Sequence, residues 1–230
     1  MLKQLLENVF IIFYGITLLV SLYRYPKYFD TKLKYLPIIF LYTFLNEILG
    51  YLIFTNLNFS LFEDSTYSKY NIVIYNLYNI VFYLYFTYIF MYYIKEVKIK
   101  KLIKLGMIFF LIIATINPYF QSFFHSTQIG TYVFGAMVLL ACIYIYLKQI
   151  FKNNKNDWGR NLLFWLALGL LIFYIGYLPI KMSRQYLNIP ESIEKSIIHP
   201  LHISLIIICY SCFITGFLRM KLNMPEQNQT

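Results

Sequence analysis

The chain has 230 residues and a formal net charge of +10, and its composition is 60% hydrophobic but only 13% charged. Soluble domains average roughly 45–50% apolar and 25% charged residues, so an ordinary soluble domain is excluded and an integral membrane protein is predicted. The basic residues lie in short blocks between apolar runs, as membrane topology requires, so the positive charge does not indicate nucleic-acid binding.

Seven apolar stretches are candidates for membrane-spanning helices, because each is close to the roughly 20 residues needed to cross a bilayer. In chain order they cover residues 5–23, 36–54, 72–93, 102–120, 129–147, 162–180 and 197–218. Together they predict an all-α, polytopic integral membrane protein, a seven-transmembrane-helix bundle that forms a single domain over residues 1–219. Residues 220–230 are predicted to be a short polar tail.

The connections between these stretches predict the orientation of the bundle. Most of the 20 basic residues lie after the odd-numbered stretches. The positive-inside rule then predicts that the N-terminus is outside and that the C-terminus and its tail are cytoplasmic. The fourth stretch is the weakest, and Asn117-Pro118 is expected to end it, because proline disfavours helical geometry in the residue before it.

The second stretch carries Asn46 and Glu47 in its middle, among bulky apolar residues. A carboxylate in such a stretch must be protonated, hydrogen-bonded or paired, because burying it alone in hydrocarbon costs several kcal/mol. An ionisable residue inside a membrane is by default a candidate functional site. The alternative interpretation is a structural one, in which polar side chains join neighbouring helices.

Two other stretches offer polar faces that could meet Glu47. Asn76 and Asn79 lie on one helical stripe of the third stretch, and His199 and His202 lie on one stripe of the seventh. At 1.5 Å per residue, Glu47 and Asn79 would each lie roughly 10 Å below the outer surface of the hydrocarbon. We therefore predict an outward-facing pocket in which Asn76, Asn79 or a histidine hydrogen-bonds Glu47, with packing alone as the alternative for each residue.

Metal, retinal and nucleophilic chemistry are poorly supported by the residues present. Glu47, His199 and His202 could supply three zinc ligands, but seven-helix hydrolases of the ceramidase and adiponectin-receptor type need a His-x-x-x-His pair with further His and Asp ligands. The seventh stretch has no lysine for a retinal Schiff base, and no nucleophile or phosphate-loop motif occurs. We therefore predict no metal and no cofactor, and we find no catalytic motif.

Several segments carry a resemblance to a known family. They are Phe40 to Phe54, Tyr75 to Asn79, Phe164 to Phe173, and Ile198-His199 onward. Over most of its length the chain resembles a family of small seven-helix membrane proteins of Bacteroidota bacteria. The resemblance implies the inner (cytoplasmic) membrane of a bacterium and implies no activity.

These observations favour a receptor-like or sensory membrane protein that binds a small molecule or lipid from the bilayer in the pocket around Glu47. Such a bundle would pass its signal to a separate cytoplasmic partner. Two alternatives stay open: a proton-coupled small-solute transporter that uses Glu47, and a lipid-modifying membrane enzyme.

Overall fold

A computed structural model describes residues 9–55, 71–152 and 158–220. Within those ranges the chain forms helices and no strand, and seven helices are long. They are α1 (Val9–Tyr23), α2 (Leu36–Thr55), α3 (Asn71–Tyr93), α4 (Val97–Ile116), α5 (Ile129–Lys152), α6 (Leu162–Tyr186) and α7 (His199–Arg219). The prediction of an all-α chain with seven helices is therefore confirmed for the described residues.

Five of these helices, α2, α3, α5, α6 and α7, are long and apolar enough to cross a membrane, which indicates a multi-pass membrane protein. The described part of α1 is apolar but has only 15 residues, and the predicted residues 5–8 lie outside the described ranges. Helix α4 carries Lys98, Lys100, Lys101 and Lys104 in its first half. These lysines set α4 apart from the five membrane-length apolar helices, in agreement with the prediction that the fourth stretch is the weakest.

The predicted ends of several stretches were wrong because hydropathy marks the apolar part of a helix and not its hydrogen-bonded length. Helix α4 begins at Val97 and not at residue 102, and it stops at Ile116, where Asn117–Tyr119 forms a 3₁₀ turn. Helices α5 and α6 run on to Lys152 and Tyr186, past the apolar ends predicted at 147 and 180. Met220, predicted as the start of a polar tail, is only 4% exposed, and residues 221–230 lie outside the described ranges.

Local capping explains where some helices begin. The Thr31 side chain accepts a hydrogen bond from the Leu33 N–H at 3.2 Å and starts the 3₁₀ turn that leads into α2. The Asn161 side chain accepts one from the Leu163 N–H at 2.9 Å at the start of α6. Helix α7 has a proline in its first turn and follows a π-helical turn, Glu194–Ile198.

The chain divides into two compact units, which we name the terminal unit (Met1–Phe40 and Leu147–Thr230) and the central unit (Leu41–Tyr146). In the terminal unit, aromatic rings of α7 pack on residues from the N-terminal part of the chain. The Tyr14 and Tyr210 rings lie edge to face at 4.3 Å, and Tyr28 packs on Phe217 at 5.6 Å. In the central unit, α3, α4 and α5 meet around Tyr83, whose ring lies 5.8 Å from Phe110 and 5.6 Å from Tyr132.

Gly169 and Gly176 are seven residues apart in the sixth apolar stretch, a spacing that predicts one face of α6 where another helix can approach closely. Helices α6 and α7 do approach closely along this seam of glycines. A Cβ atom at Gly169 would lie 2.8 Å from the backbone oxygen of Cys209, and one at Gly176 would lie 2.7 Å from Leu205. Farther along, a Cβ atom at Gly216 of α7 would lie 2.7 Å from Trp165 of α6. These pairs run in opposite directions along the two helices, so they define one antiparallel register for the whole seam.

This seam predicts that an alanine at Gly169 is destabilising, and Gly106, which lies outside the seam, supplies the control. Gly169→Ala should lower the free energy of unfolding by about 1–3 kcal/mol, because backbone at Cys209 must move to admit the methyl group. Gly106→Ala in α4 meets Val138 at an ordinary 3.5 Å, so the gain in helix propensity should leave stability unchanged or raised. Thermal unfolding of both variants in the same detergent measures the difference. Equal melting temperatures would show that α6 and α7 do not need the close approach.

Candidate functional site

The predicted site residues fall in both units, so each group is described within its own unit. Asn46, Glu47, Asn76 and Asn79 belong to the central unit, and His199 and His202 belong to the terminal unit.

Helices α2 and α3 share a polar seam in the central unit. The hydroxyls of Thr43 and Tyr78 are hydrogen-bonded at 2.6 Å. One turn away, the Tyr42 hydroxyl donates to the backbone oxygen of Ile74 at 3.3 Å. The face that α3 presents to α2 is therefore the one that carries Ile74 and Tyr78, and Asn76 lies away from it.

Glu47 is half-buried on this seam, and its carboxyl group is hydrogen-bonded to the side chain of Tyr75. The partners expected from the sequence, Asn76, Asn79 or a histidine, did not include this tyrosine. Gly50 makes this contact possible, because a Cβ atom there would lie 2.8 Å from the Tyr75 hydroxyl. The Tyr75 side chain of α3 thus contacts the Glu47 carboxyl group of α2 because residue 50 has no side chain in the way.

The Tyr75 hydroxyl also donates to the backbone oxygen of Asn46 at 3.3 Å. A hydroxyl group has one proton, so Tyr75 can donate to only one of these two acceptors at a time. With Glu47 ionised, Tyr75 can donate to the carboxylate. With Glu47 protonated, the carboxyl can donate to Tyr75 while Tyr75 donates to Asn46, so the arrangement can respond to a proton or to a ligand on Glu47.

Asn46 is the second polar residue of this seam, and its side chain is only 3% exposed. Neither its amide nitrogen nor its amide oxygen has a hydrogen-bond partner among the described residues. An unsatisfied buried amide costs roughly 1–3 kcal/mol, and such groups in folded proteins call for an explanation such as a bound molecule or a functional role. Asn46 therefore offers one acceptor and two donors to a ligand.

Asn76 has a different role, because its amide ties α3 to the connection between α4 and α5. Its nitrogen donates to the backbone oxygens of Phe123 and Ser126 at 2.9 and 3.1 Å, and its oxygen accepts from the Gln128 N–H at 3.2 Å. The Gln128 side chain continues this network to Asn117 at 2.6 Å. These hydrogen bonds join neighbouring parts of the chain, which is the structural role that the sequence left open as the alternative for Asn76.

Asn79 lies one turn farther along α3 and is half-buried. Its side chain makes no hydrogen bond to another residue in the described part of the chain. Asn76 and Asn79 lie on one stripe of α3, but they do not hydrogen-bond the same partner within the described residues.

The two histidines begin α7 in the terminal unit. His199 is exposed, and His202 is half-buried with its ring stacked on Tyr177 of α6, at a centroid distance of 4.2 Å and an interplanar angle of 18°. His202 also lies within electrostatic reach of Lys181, Arg184 and His199. The sequence stripe missed both the stacking tyrosine and the two cations, which lie on the preceding helix.

Comparison with protein-family models, curated proteins and solved structures finds no match to this chain. The resemblance to a Bacteroidota family therefore stays a prediction.

The network around Asn76 predicts that Asn76→Ala should destabilise the protein by about 2 kcal/mol or more, because it leaves Phe123 and Ser126 carbonyls and the Gln128 N–H without a partner. Hydrogen exchange of the Gln128 amide should speed up with it. Asn79→Ala removes the same amide group one turn away and should leave that exchange rate unchanged. Equal exchange rates of the Gln128 amide in the two variants would show that Asn76 does not hold α3 to the connection between α4 and α5.

Proposed function

We propose that this chain is a receptor-like or sensory membrane protein that binds a small polar molecule or a lipid at Asn46, Glu47 and Tyr75. The observation that carries the proposal is the buried Asn46 amide, which is left without a hydrogen-bond partner among the described residues. A protein that only packed its helices at this point would lose nothing by having leucine there. A bound molecule that hydrogen-bonds the amide would explain why asparagine occupies this buried position.

The chemistry of the three groups limits the class of ligand. The Asn46 amide would be satisfied by a ligand with at least one hydrogen-bond acceptor and one donor. Glu47 and Tyr75 offer the same ligand a carboxyl group and a hydroxyl group. Neighbouring residues of a helix point about 100° apart, so one ligand atom cannot serve both Asn46 and Glu47. A molecule of several polar atoms, such as a hydroxylated or amide-bearing solute or lipid headgroup, fits better than a single ion.

The signalling part of the proposal rests on Tyr75. A ligand that takes the Glu47 carboxyl as its own partner would release the Tyr75 hydroxyl to the Asn46 carbonyl and so change the contact between α2 and α3. The orientation from the basic connections would make this site open to the outside of the inner membrane. A separate cytoplasmic protein would then receive the signal.

The same hydroxyl favours one other function, a proton-coupled solute transporter. Protonation of Glu47 would reverse the direction of its hydrogen bond with Tyr75, which is the kind of two-state contact that proton coupling needs. The two functions differ in whether the solute crosses the membrane. Solute uptake into vesicles that depends on pH and is abolished in Glu47→Gln would support the transporter.

Native mass spectrometry of gently extracted protein tests the proposed site directly. The wild type should carry a defined extra mass, and both variants should lose it. Asn46→Leu removes the amide that would bind the ligand, and Glu47→Gln replaces the carboxyl group with a neutral amide of different donors and acceptors. Thr131→Val is the matched control, because Thr131 is also 3% exposed with an unpartnered hydroxyl in the described central unit but lies outside the site. It should keep the extra mass.

Stability separates a binding site from a packing site. Asn46→Leu should raise the melting temperature of ligand-free protein, because it removes an unsatisfied amide worth roughly 1–3 kcal/mol while keeping a similar volume. A variant that is more stable and has lost the bound mass supports the proposal. A variant that is less stable, with no extra mass on any form of the protein, would reassign Asn46 to packing.

A further inference from the structure

Helix α4 of the central unit carries exposed lysines at turn spacing, which we name the lysine face: Lys98, Lys101 and Lys104. Residues three apart differ by about 60° around a helix axis, so the three side chains lie on one side of α4 with Lys101 in the middle. The opposite side packs into the central unit through Ile103 and Phe110, which are buried. The lysine face therefore points away from the protein.

The protein supplies no counter-charge to these lysines. None of their ammonium groups makes an ion pair or a hydrogen bond within the described part of the chain. The acidic residues of the described central unit are Glu47, which is hydrogen-bonded to Tyr75, and Glu96, which is exposed just before α4. Even if Glu96 balanced one lysine, two positive charges of the lysine face would remain.

The placement of these lysines is unfavourable within the helix itself. Lys101 has a like charge three residues away on both sides, and Lys104 has a further one four residues away at Lys100. Like-charged pairs at these spacings destabilise a helix, and the helix dipole adds a positive partial charge at the same end. An anion bound against the lysine face would relieve both effects.

The outward side of α4 becomes apolar directly after the lysines. Leu105, Phe109, Ile112 and Ile116 follow at helical spacing, and each is exposed by more than two fifths of its area. Residues 105–116 extend only about 18 Å at 1.5 Å per residue, whereas the hydrocarbon of a bilayer is roughly 30 Å thick. In a membrane, the lysine face is therefore at the level of the lipid headgroups, with its aliphatic stems along the helix.

Charge followed by apolar surface matches the two parts of a phospholipid. The orientation predicted from the basic connections is one in which this end of α4 is cytoplasmic, and anionic lipids give the cytoplasmic leaflet its negative surface potential. A headgroup phosphate accepts hydrogen bonds from ammonium groups, and its acyl chains would cover Leu105 and Phe109. An acidic protein would meet the lysines alone, so the observations favour a lipid.

We propose that the lysine face of α4 binds the headgroup phosphate of an anionic phospholipid, whose acyl chains lie along Leu105, Phe109 and Ile112. The ammonium groups donate to the phosphate oxygens, and Lys101 is the central donor. The bound lipid compensates for the short apolar length of α4. The site shares no residue with the one proposed around Asn46 and does not depend on it.

The test is a titration of the full chain in neutral detergent, read by native mass spectrometry, with dioleoyl phosphatidylglycerol and dioleoyl phosphatidylcholine as probes. The wild type should bind phosphatidylglycerol more tightly. Each lysine near a membrane surface contributes about fivefold to the affinity for an anionic lipid. Lys98→Gln, Lys101→Gln and Lys104→Gln should therefore each weaken phosphatidylglycerol binding by about fivefold and leave phosphatidylcholine binding within about twofold.

Thermal unfolding shows that weaker binding is not a loss of structure. In lipid-free detergent, Lys101→Gln should leave the melting temperature unchanged or raised, because it removes both like-charged pairs of that lysine. Added phosphatidylglycerol should stabilise the wild type more than this variant. Equal stabilisation of the two proteins would overturn the proposal.

Lys195→Gln is the matched control for net charge. It also removes an exposed positive charge, but Lys195 is paired with Glu191 in the terminal unit. It should change phosphatidylglycerol affinity by less than about twofold. Equal weakening by Lys195→Gln and Lys101→Gln would show that only the net charge of the chain matters, and it would overturn the site.

Inorganic phosphate and a polyglutamate peptide test the other anions that lysines could bind. Phosphate binding that depends on Lys101, without lipid binding, would overturn the lipid and move the ligand to solution. Peptide binding that depends on the lysine face, with lipid binding equal in all variants, would assign the face to an acidic protein instead. Asn46→Leu should keep its phosphatidylglycerol affinity, so failure at either site is distinguishable from failure at the other.

Discussion

A polar side chain inside an apolar helix needs a hydrogen-bond partner, either from the protein or from a bound molecule, and the two buried asparagines differ in this respect. Asn76 uses both ends of its amide on the chain between Phe123 and Gln128. Asn46 uses neither end within the described residues. The same residue type is thus fully used for packing in α3 and left without a partner among the described residues in α2, and this contrast is the reason why we propose α2 as the binding element.

Small residues decide which polar groups can meet. Gly50 lets the Tyr75 hydroxyl reach across to Glu47, and Gly169 and Gly176 let α6 and α7 come close enough for Tyr177 to stack on His202. Both polar groups therefore depend on a missing side chain on a neighbouring helix. Where helices approach this closely, hydrogen bonds and ring contacts take the place of the hydrophobic effect, which does not favour association inside a bilayer.

Much of the fold could be predicted because it depends on local properties of the chain. Apolar length predicts the number of helices, Asn117-Pro118 predicts the end of α4, and the spacing of Gly169 and Gly176 predicts a close contact. The partner of Glu47 could not be predicted in this way. Tyr75 is one of 24 tyrosines, and its selection depends on Gly50 of another helix, which no pattern within α3 contains.

The π-helical turn Glu194–Ile198 has a consequence for how the chain can vary in length. A π turn holds one residue more than an α turn, so deletion of a single residue there would be absorbed as a regular α-helix without breaking α7. The residues before the deletion would keep nearly the same position around the helix axis relative to those after it, because the wide turn has already absorbed the extra residue. The Arg184–Glu194 salt bridge and the stacking of His202 on Tyr177 should therefore both survive the loss of one codon within this turn, whereas the same loss in a regular turn of α7 would separate them.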